Sequence, residues 1–225
     1  MTERWLTIAL PKGRLAAEAA ELIAAAGLGR GLDPGARTLI HEEPSLRLRF
    51  AWLRPADALT YVERGVAALA FVGKDVLVER QAAVDEVVDL GIGRCTACLA
   101  VPAASAWPPP AGVRERLRIA THLPRLTAGF LREQGYSAEI IHLRGSVEIA
   151  PRLGLADAIV DLVQTGRTLA ANGLRVAVEI QPVTCRLVAH PGARRAGDRR
   201  VEEIIGRLGR AAAVVQAGEA AGRVR

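Results

Sequence analysis

Lysine occurs at two positions in this 225-residue chain, cysteine at three and methionine at one, and aromatic side chains make up only 4%. So few rings, none interleaved with the widely spread arginines, argue against a base-stacking nucleic-acid surface. An odd, small number of cysteines argues against a disulfide framework and points to a reducing cytosol. Cys95 and Cys98 form a Cys-x-x-Cys, but Cys185 stands alone, so a four-ligand zinc site lacks its second half. The run from Arg94 to Val101 alternates like a strand rather than a redox turn opening a helix. His41, His122, His142 and His190 are scattered without ligand spacing. No stretch of about 18 uncharged apolar residues is present, so no membrane span is expected. The N-terminus runs directly into a strand with no secretory core, and the expected location is the cytoplasm.

What is present is apolar and basic. Half the residues are hydrophobic, enough for one large core or two modest ones. The formal charge is +6 and the pI about 10, which suits phosphorylated small molecules as well as it would nucleic acid. Of the 30 basic residues only Lys12 and Lys74 are lysine. Against that arginine bias, both mark places where a compact, flexible ammonium is preferred to a planar fork.

The order of elements predicts α/β. Leu6 to Leu10 reads as a buried parallel strand, and Pro11-Lys-Gly-Arg14 as the turn into an alanine-rich helix ended by Gly27. Lys12, Gly13 and Arg14 thus sit at a strand's carboxyl end, where open α/β sheets bind ligands. Arg37 to Glu43 and Leu46 to Leu53 predict a hairpin, with Arg54 ending its second strand and Pro55 opening a helix that Gly65 closes. Val66 to Val72 is a further strand, and Gly73-Lys74-Asp75 repeats the strand, glycine turn, helix theme with Asp75 as a candidate N-cap or nucleotide contact. Ser105 to Gly112 is a stiff proline-rich loop, Arg118 to Thr121 a strand, Pro124 to Gln134 a helix, and Ala138 to Leu143 a strand. Gly145-Ser146 begins a helix carrying Glu148. Leu174 to Val188 supplies one or two strands with a break at Pro182, and Asp198 caps a final helix to Val215 before a loose tail.

Residues 154–173 carry the most chemistry. Ala156 to Val163 reads as a strand with Asp157, Ile159, Asp161 and Val163 on one face. Two carboxylates on so apolar a strand are costly unless they have partners. Thr165-Gly166-Arg167-Thr168 follows and opens a short helix. Amides at a helix start, a glycine permitting close approach, two hydroxyls and a guanidinium together suit a phosphate. Asp157 and Asp161 just upstream are acceptors for vicinal sugar hydroxyls. A ribose 5-phosphate site accounts for all of these; a buried strand with an ordinary capped helix is the plainer alternative.

The run Gly145-Ser-Val-Glu-Ile-Ala-Pro-Arg-Leu-Gly-Leu-Ala-Asp-Ala-Ile-Val-Asp-Leu-Val-Gln-Thr-Gly-Arg-Thr-Leu-Ala-Ala-Asn-Gly-Leu174 resembles the phosphoribosyl-pyrophosphate segment of the ATP phosphoribosyltransferases. Leu6 to Leu15, Leu53-Arg-Pro-Ala-Asp57 and Val72-Gly-Lys-Asp-Val-Leu77 match in the family's order, so the likeness runs to about Leu187. The chain departs from the usual pattern at Ala68 to Phe71, at Ala58-Leu59 and at Gln164, where the family usually has Glu. The resemblance implies a two-lobed fold like type II periplasmic binding proteins, with an interlobe active-site cleft. Lobe one is expected at 1–94 plus 180–225 and lobe two at 95–179. The implied reaction is displacement of pyrophosphate from phosphoribosyl pyrophosphate by N1 of ATP, the first step of histidine biosynthesis. N1 has a free lone pair, so no general base is required, and none is convincing in the sequence. The resemblance assigns Thr165, Gly166, Arg167 and Thr168 to the 5-phosphate, Asp157 and Asp161 to the ribose hydroxyls, and Glu148 to the ribose or its metal. Lys12, Gly13 and Arg14 would hold pyrophosphate or ATP phosphates, with Arg54, Lys74 and Asp75 on the ATP side. Mg2+ would enter with the substrate. Long members carry a C-terminal regulatory domain; at 225 residues this chain resembles the short form. That form works as a homodimer within a larger hetero-oligomer containing a histidyl-tRNA-synthetase-like subunit. A non-catalytic ligand-binding module of the same fold is the competing reading, and a signal peptide or a DNA-binding helix-turn-helix, neither of which is evident, would favour it.

Overall fold

The computed structural model describes residues 5–108, 117–195 and 199–222. The elements in chain order are β1 (Leu6–Pro11), α1 (Ala16–Ala25), β2 (Ile40–Glu43), β3 (Leu48–Leu53), α2 (Pro55–Glu63), β4 (Leu69–Gly73), α3 (Lys74–Arg80) and β5 (Asp85–Asp89). They continue with β6 (Cys95–Pro102), β7 (Leu117–Thr121), α4 (Pro124–Gln134), β8 (Ala138–His142), β9 (Ala158–Val163), α5 (Arg167–Ala171) and β10 (Leu174–Val183). The chain closes with β11 (Cys185–Ala189), α6 (Pro191–Arg195) and α7 (Arg199–Gly222). It divides into two compact units, Met1–Gly93 with Thr184–Arg225, and Arg94–Val183. The return crossing thus falls four residues beyond the expected 180, because β10 stays paired with β6, through two register shifts, as far as Val183 opposite Cys95. Pro182 lies inside that strand, where a proline is tolerated because β10 is an edge strand.

Unit one is a six-stranded sheet in the order β2-β3-β1-β4-β11-β5. β1 runs parallel to β3 and to β4, while β11 runs antiparallel to both β4 and β5. β1 and β4 are central, and their apolar runs are buried: Ile8, Ala9, Leu10, Leu69, Ala70, Phe71 and Val72 are all fully inaccessible. One core lies between the sheet, α1 and α7, where Phe50, Phe71, Leu22 and Ile23 meet Val201, Ile204 and Leu208. Burying each such side chain contributes about 1.5–3 kcal/mol. α2 covers the opposite face through Ala58, Leu59 and Val62. The departures from the family at Ala58-Leu59 and Ala68-Phe71 therefore fall in core and adjacent packing. β5, with its sequence Asp-Glu-Val-Val-Asp, has too little apolar periodicity to read as a strand; it is recruited as an edge by β11.

Unit two is a five-stranded sheet in the order β10-β6-β9-β7-β8. β9, β7 and β8 are parallel, β6 pairs antiparallel with β9, and β10 pairs antiparallel with β6 at the sheet's edge. The helix expected after Gly145-Ser146 is one 3-10 turn, Val147–Ile149, entered through Ser146 in a left-handed conformation. The expected loop from Ser105 is described only to Pro108, and the capping role expected of Asp198 lies outside the described residues. The final helix runs on to Gly222, into the segment expected to be loose, and the Gln216 amide donates to the Asp89 carbonyl at 3.0 Å. No helix among the described residues is long and apolar enough to cross a membrane. Cys95, Cys98 and Cys185 are buried and form no disulfide.

Candidate functional site

In unit two the carboxyl ends of β7 and β9 lie together, with Thr121 opposite Val160. Asp161 is the next residue of β9, and its Oδ1 accepts from the Leu162 amide at 2.7 Å. Burial pushes this carboxyl up, and the nearby Glu148 pushes it further, while the Leu162 amide and His122 pull the other way. A strand this apolar holds a carboxylate because its end emerges from the sheet. Glu148 reaches the same place from the 3-10 turn. Cys98, paired with Asp161 across the sheet, is pushed up to about 11, chiefly by burial and then by Glu179. It forms an inert floor rather than a nucleophile.

Gly166 follows with φ 73° and is the N-cap of α5. A Cβ there would meet nothing closer than the Val163 Cγ1 at 4.0 Å, so space is not what requires glycine; the backbone sign is. A left-handed residue followed by helical Arg167 turns successive amides toward one point, an anion-binding nest. Thr165, Arg167 and Thr168 are exposed around it and Gly166 is half-buried. α5 has five residues, too few for a large dipole, so the amides and hydroxyls carry the attraction.

The structure does not bring Asp157 to this place. Asp157 precedes β9, at the opposite end from Asp161, roughly 13 Å away at about 3.3 Å per residue. Between them lies Ile159, fully buried in the core with Ala120, Val147 and Leu169. Arg118 holds Asp157 on three sides: its amide donates to Oδ2 at 2.9 Å, Nη2 to Oδ1 at 2.9 Å and Nε to Oδ2 at 3.3 Å. That guanidinium and amide hold the Asp157 carboxyl below its usual range. Through those bonds Asp157 ties the start of β9 to β7.

His122 is the residue that sequence reasoning passed over. It follows β7, and its Nδ1 lies 3.4 Å from Asp161 Oδ1. A buried hydroxyl chain sets its position: Thr121 Oγ1 donates to the Val160 carbonyl at 2.7 Å and accepts from the Leu123 amide at 2.9 Å, while Thr127 Oγ1 donates to the Leu123 carbonyl at 2.7 Å. An isolated histidine carries no spacing signal; only the β7–β9 pairing could have found it.

In unit one the candidate residues gather at one edge. β3, β1 and β4 are adjacent and parallel, with Pro11 opposite Leu53, so Lys12, Arg54 and Lys74 all follow strand ends on the same side. The Lys12 amide donates to the Leu53 carbonyl at 2.9 Å. Lys12, Gly13, Arg14 and Arg54 are exposed. Gly13 repeats the left-handed geometry of the other loop, with φ 82° and open space beyond it. Arg14 Nη2 donates to the Gly93 carbonyl at 3.2 Å. Lys74 differs: its ammonium is 2.6 Å from Glu86 Oε2, an ion pair with both side chains about one-third exposed. Asp75 is not the N-cap of α3; Gly73 is, and the Asp75 carboxylate folds back over Gly73. Among the described residues no group of three or more His, Cys, Asp or Glu could hold a metal on its own.

Two α/β units, one ending in an amide nest beside a carboxylate and the other in a basic strand edge, define a phosphosugar-binding α/β protein. The ATP phosphoribosyltransferase family model matches residues 54–210, more than half the chain. The chain belongs to the ATP phosphoribosyltransferase family. It is 44% identical over 221 residues to the ATP phosphoribosyltransferase of Moorella thermoacetica, covering 94% of this chain and 95% of that one. It is 43% identical over 204 residues to that of Bacillus subtilis, covering 90% and 93%. Among solved structures it is similar to the ATP phosphoribosyl transferase (HisG:HisZ) complex from Thermotoga maritima, with TM-score 0.76 and 30% identity over 92% of this chain and 98% of that one. The alkanesulfonate-binding protein SsuA from Xanthomonas axonopodis shares the fold at TM-score 0.61 and 15% identity, over 98% and 77% of the two chains.

Proposed function

We infer that the chain transfers the 5-phosphoribosyl group of phosphoribosyl pyrophosphate to N1 of ATP and releases pyrophosphate, the first step of histidine biosynthesis. Family membership supports the reaction, and the assembly of Asp161, Glu148 and the Gly166 nest at one sheet edge is the observation that carries the reading. The amides and hydroxyls of Thr165 to Thr168 hold the 5-phosphate, with Arg167 adding charge. Asp161 accepts from the ribose hydroxyls. Lys12, Gly13, Arg14 and Arg54 receive ATP or pyrophosphate phosphates. Lys74, already paired with Glu86, contributes to the field of that edge more than to a direct contact, and Asp75 lies beside it.

The adenine N1 lone pair is available at neutral pH, so these residues need not move a proton. Their work is to hold two reactants in line and to stabilise charge on the departing pyrophosphate. Carboxylate oxygens are the donor type that Mg2+ takes, usually one or two alongside substrate phosphates, and the repulsion between Glu148 and Asp161 is one that a cation relieves. Glu148 would hold such an ion; Mg2+, when bound, neutralises pyrophosphate charge.

We assign the protein to the cytoplasm and to a homodimer within an assembly with a regulatory subunit. The Thermotoga relative solved with HisZ supports the regulatory subunit. Incubating the purified chain and its partner with ATP, phosphoribosyl pyrophosphate and Mg2+ should yield the N1 adduct by mass. Recovery of both substrates intact would rule the reading out. A non-catalytic binding module predicts tight binding without that product.

A further inference from the structure

We propose that His122 is a positioning residue for the sugar-binding carboxylate, its Nδ1 holding Asp161 in the orientation that accepts from the ribose. The proposal rests on the reading of Asp161 as the ribose acceptor. Asp161 is the last carboxylate of an apolar strand, half-buried, and its Oδ1 accepts from the Leu162 amide. One amide bond fixes one oxygen and leaves the carboxylate free to turn about it. Glu148 repels it from one side. His122 Nδ1, 3.4 Å from the same Oδ1, approaches from β7 within ion-pairing distance. The Leu162 amide and His122 thus both meet Oδ1.

The residue's placement is itself fixed by buried groups. Thr121 and Thr127 are fully buried, and their hydroxyls pin the turn that carries His122 to β9 at Val160. A surface histidine on a loose loop would have no such support. The ring is one-third exposed and Asp161 about one-quarter, so the pair is shielded enough for the contact to matter and open enough for a ligand to reach it.

Isothermal calorimetry of phosphoribosyl pyrophosphate with Mg2+ reads this directly, on the wild-type chain and on H122L and H122N. Leucine keeps bulk and removes the donor; asparagine places an amide nitrogen close to the position of Nδ1. The expected result is a Kd about tenfold weaker in H122L, recovery to within about threefold of wild type in H122N, and ATP affinity unchanged in both. Equal affinity in H122L and wild type overturns the proposal, as does an H122N no better than H122L. If H122L does not fold, H122N against H122A makes the same comparison. Failure of the wild-type chain to bind phosphoribosyl pyrophosphate at all would instead overturn the assignment of the site, a result distinct from either.

Discussion

Two aspartates four positions apart, one just before β9 and one within it, are held differently. Asp161 stands at the carboxyl end beside the nest, and Asp157 is bonded to Arg118 at the other end. Asp161→Asn should lower kcat/KM for phosphoribosyl pyrophosphate by about 10- to 100-fold, the loss expected for hydrogen bonds to a charged acceptor. Asp157→Asn should leave kcat/KM within about threefold and lower the urea midpoint. The pH dependence of that loss has a definite sign. The Asp157 carboxyl is depressed in the folded protein by its Arg118 bonds. Its contribution is therefore present above its unfolded value, about 3.9, and vanishes as pH falls through the lower folded value. The stability gap between wild type and Asp157→Asn, clear at pH 7, should shrink when unfolding is repeated near pH 3. At the nest, Gly166→Ala forces a side chain into the left-handed region at about 1–2 kcal/mol. The KM for phosphoribosyl pyrophosphate should rise about tenfold while that for ATP stays put, as initial-rate titrations of each substrate would show.

The strand-to-helix junction is the unit of function at the next scale. β1, β3 and β4 in unit one and β9 in unit two each release the chain into a helical turn at the carboxyl end. Most of these elements were legible because apolar runs, prolines at helix starts and glycines past helix ends are local signals; Pro124–Gln134 with Gly135 after it is an instance. β5 was not legible, because its strand character comes from pairing with β11 and not from its own residues. The extension of α7 past Val215 was hidden for a similar reason, since Gln216 is held by Asp89. The Thr121 hydroxyl shows how an element boundary reaches the site. Thr121→Val strips the Leu123 amide of its acceptor and should destabilise by about 1–3 kcal/mol in chemical unfolding. Phosphoribosyl pyrophosphate affinity should fall as well, since the same turn carries His122.

At the scale of the molecule, the chain leaves unit one after Gly93 and returns at Thr184. Within unit one both crossing residues are tied to candidate ligand positions: the Gly93 carbonyl accepts from Arg14, and the Thr184 carbonyl from the Lys74 amide. Catalysis by alignment makes turnover sensitive to whatever stabilises the aligned state. The chain alone should therefore turn over slowly, and its regulatory subunit should raise kcat at least about tenfold in a coupled pyrophosphate-release assay. Full turnover together with histidine inhibition in the absence of any partner would contradict this.

The amino-acid sequence by itself determined the α/β class, the order of most elements along the chain, the candidate phosphate loop at Thr165 to Thr168 and the family, because each rests on neighbours close along the chain. Which carboxylate faces that loop was decided only in three dimensions. A period of two places Asp157 and Asp161 on the same face of β9 without saying that buried Ile159 parts them, that Arg118 claims the first, or that His122 stands beside the second. Those assignments come from the pairing of β7 with β9, a contact between segments about forty residues apart that no local pattern encodes.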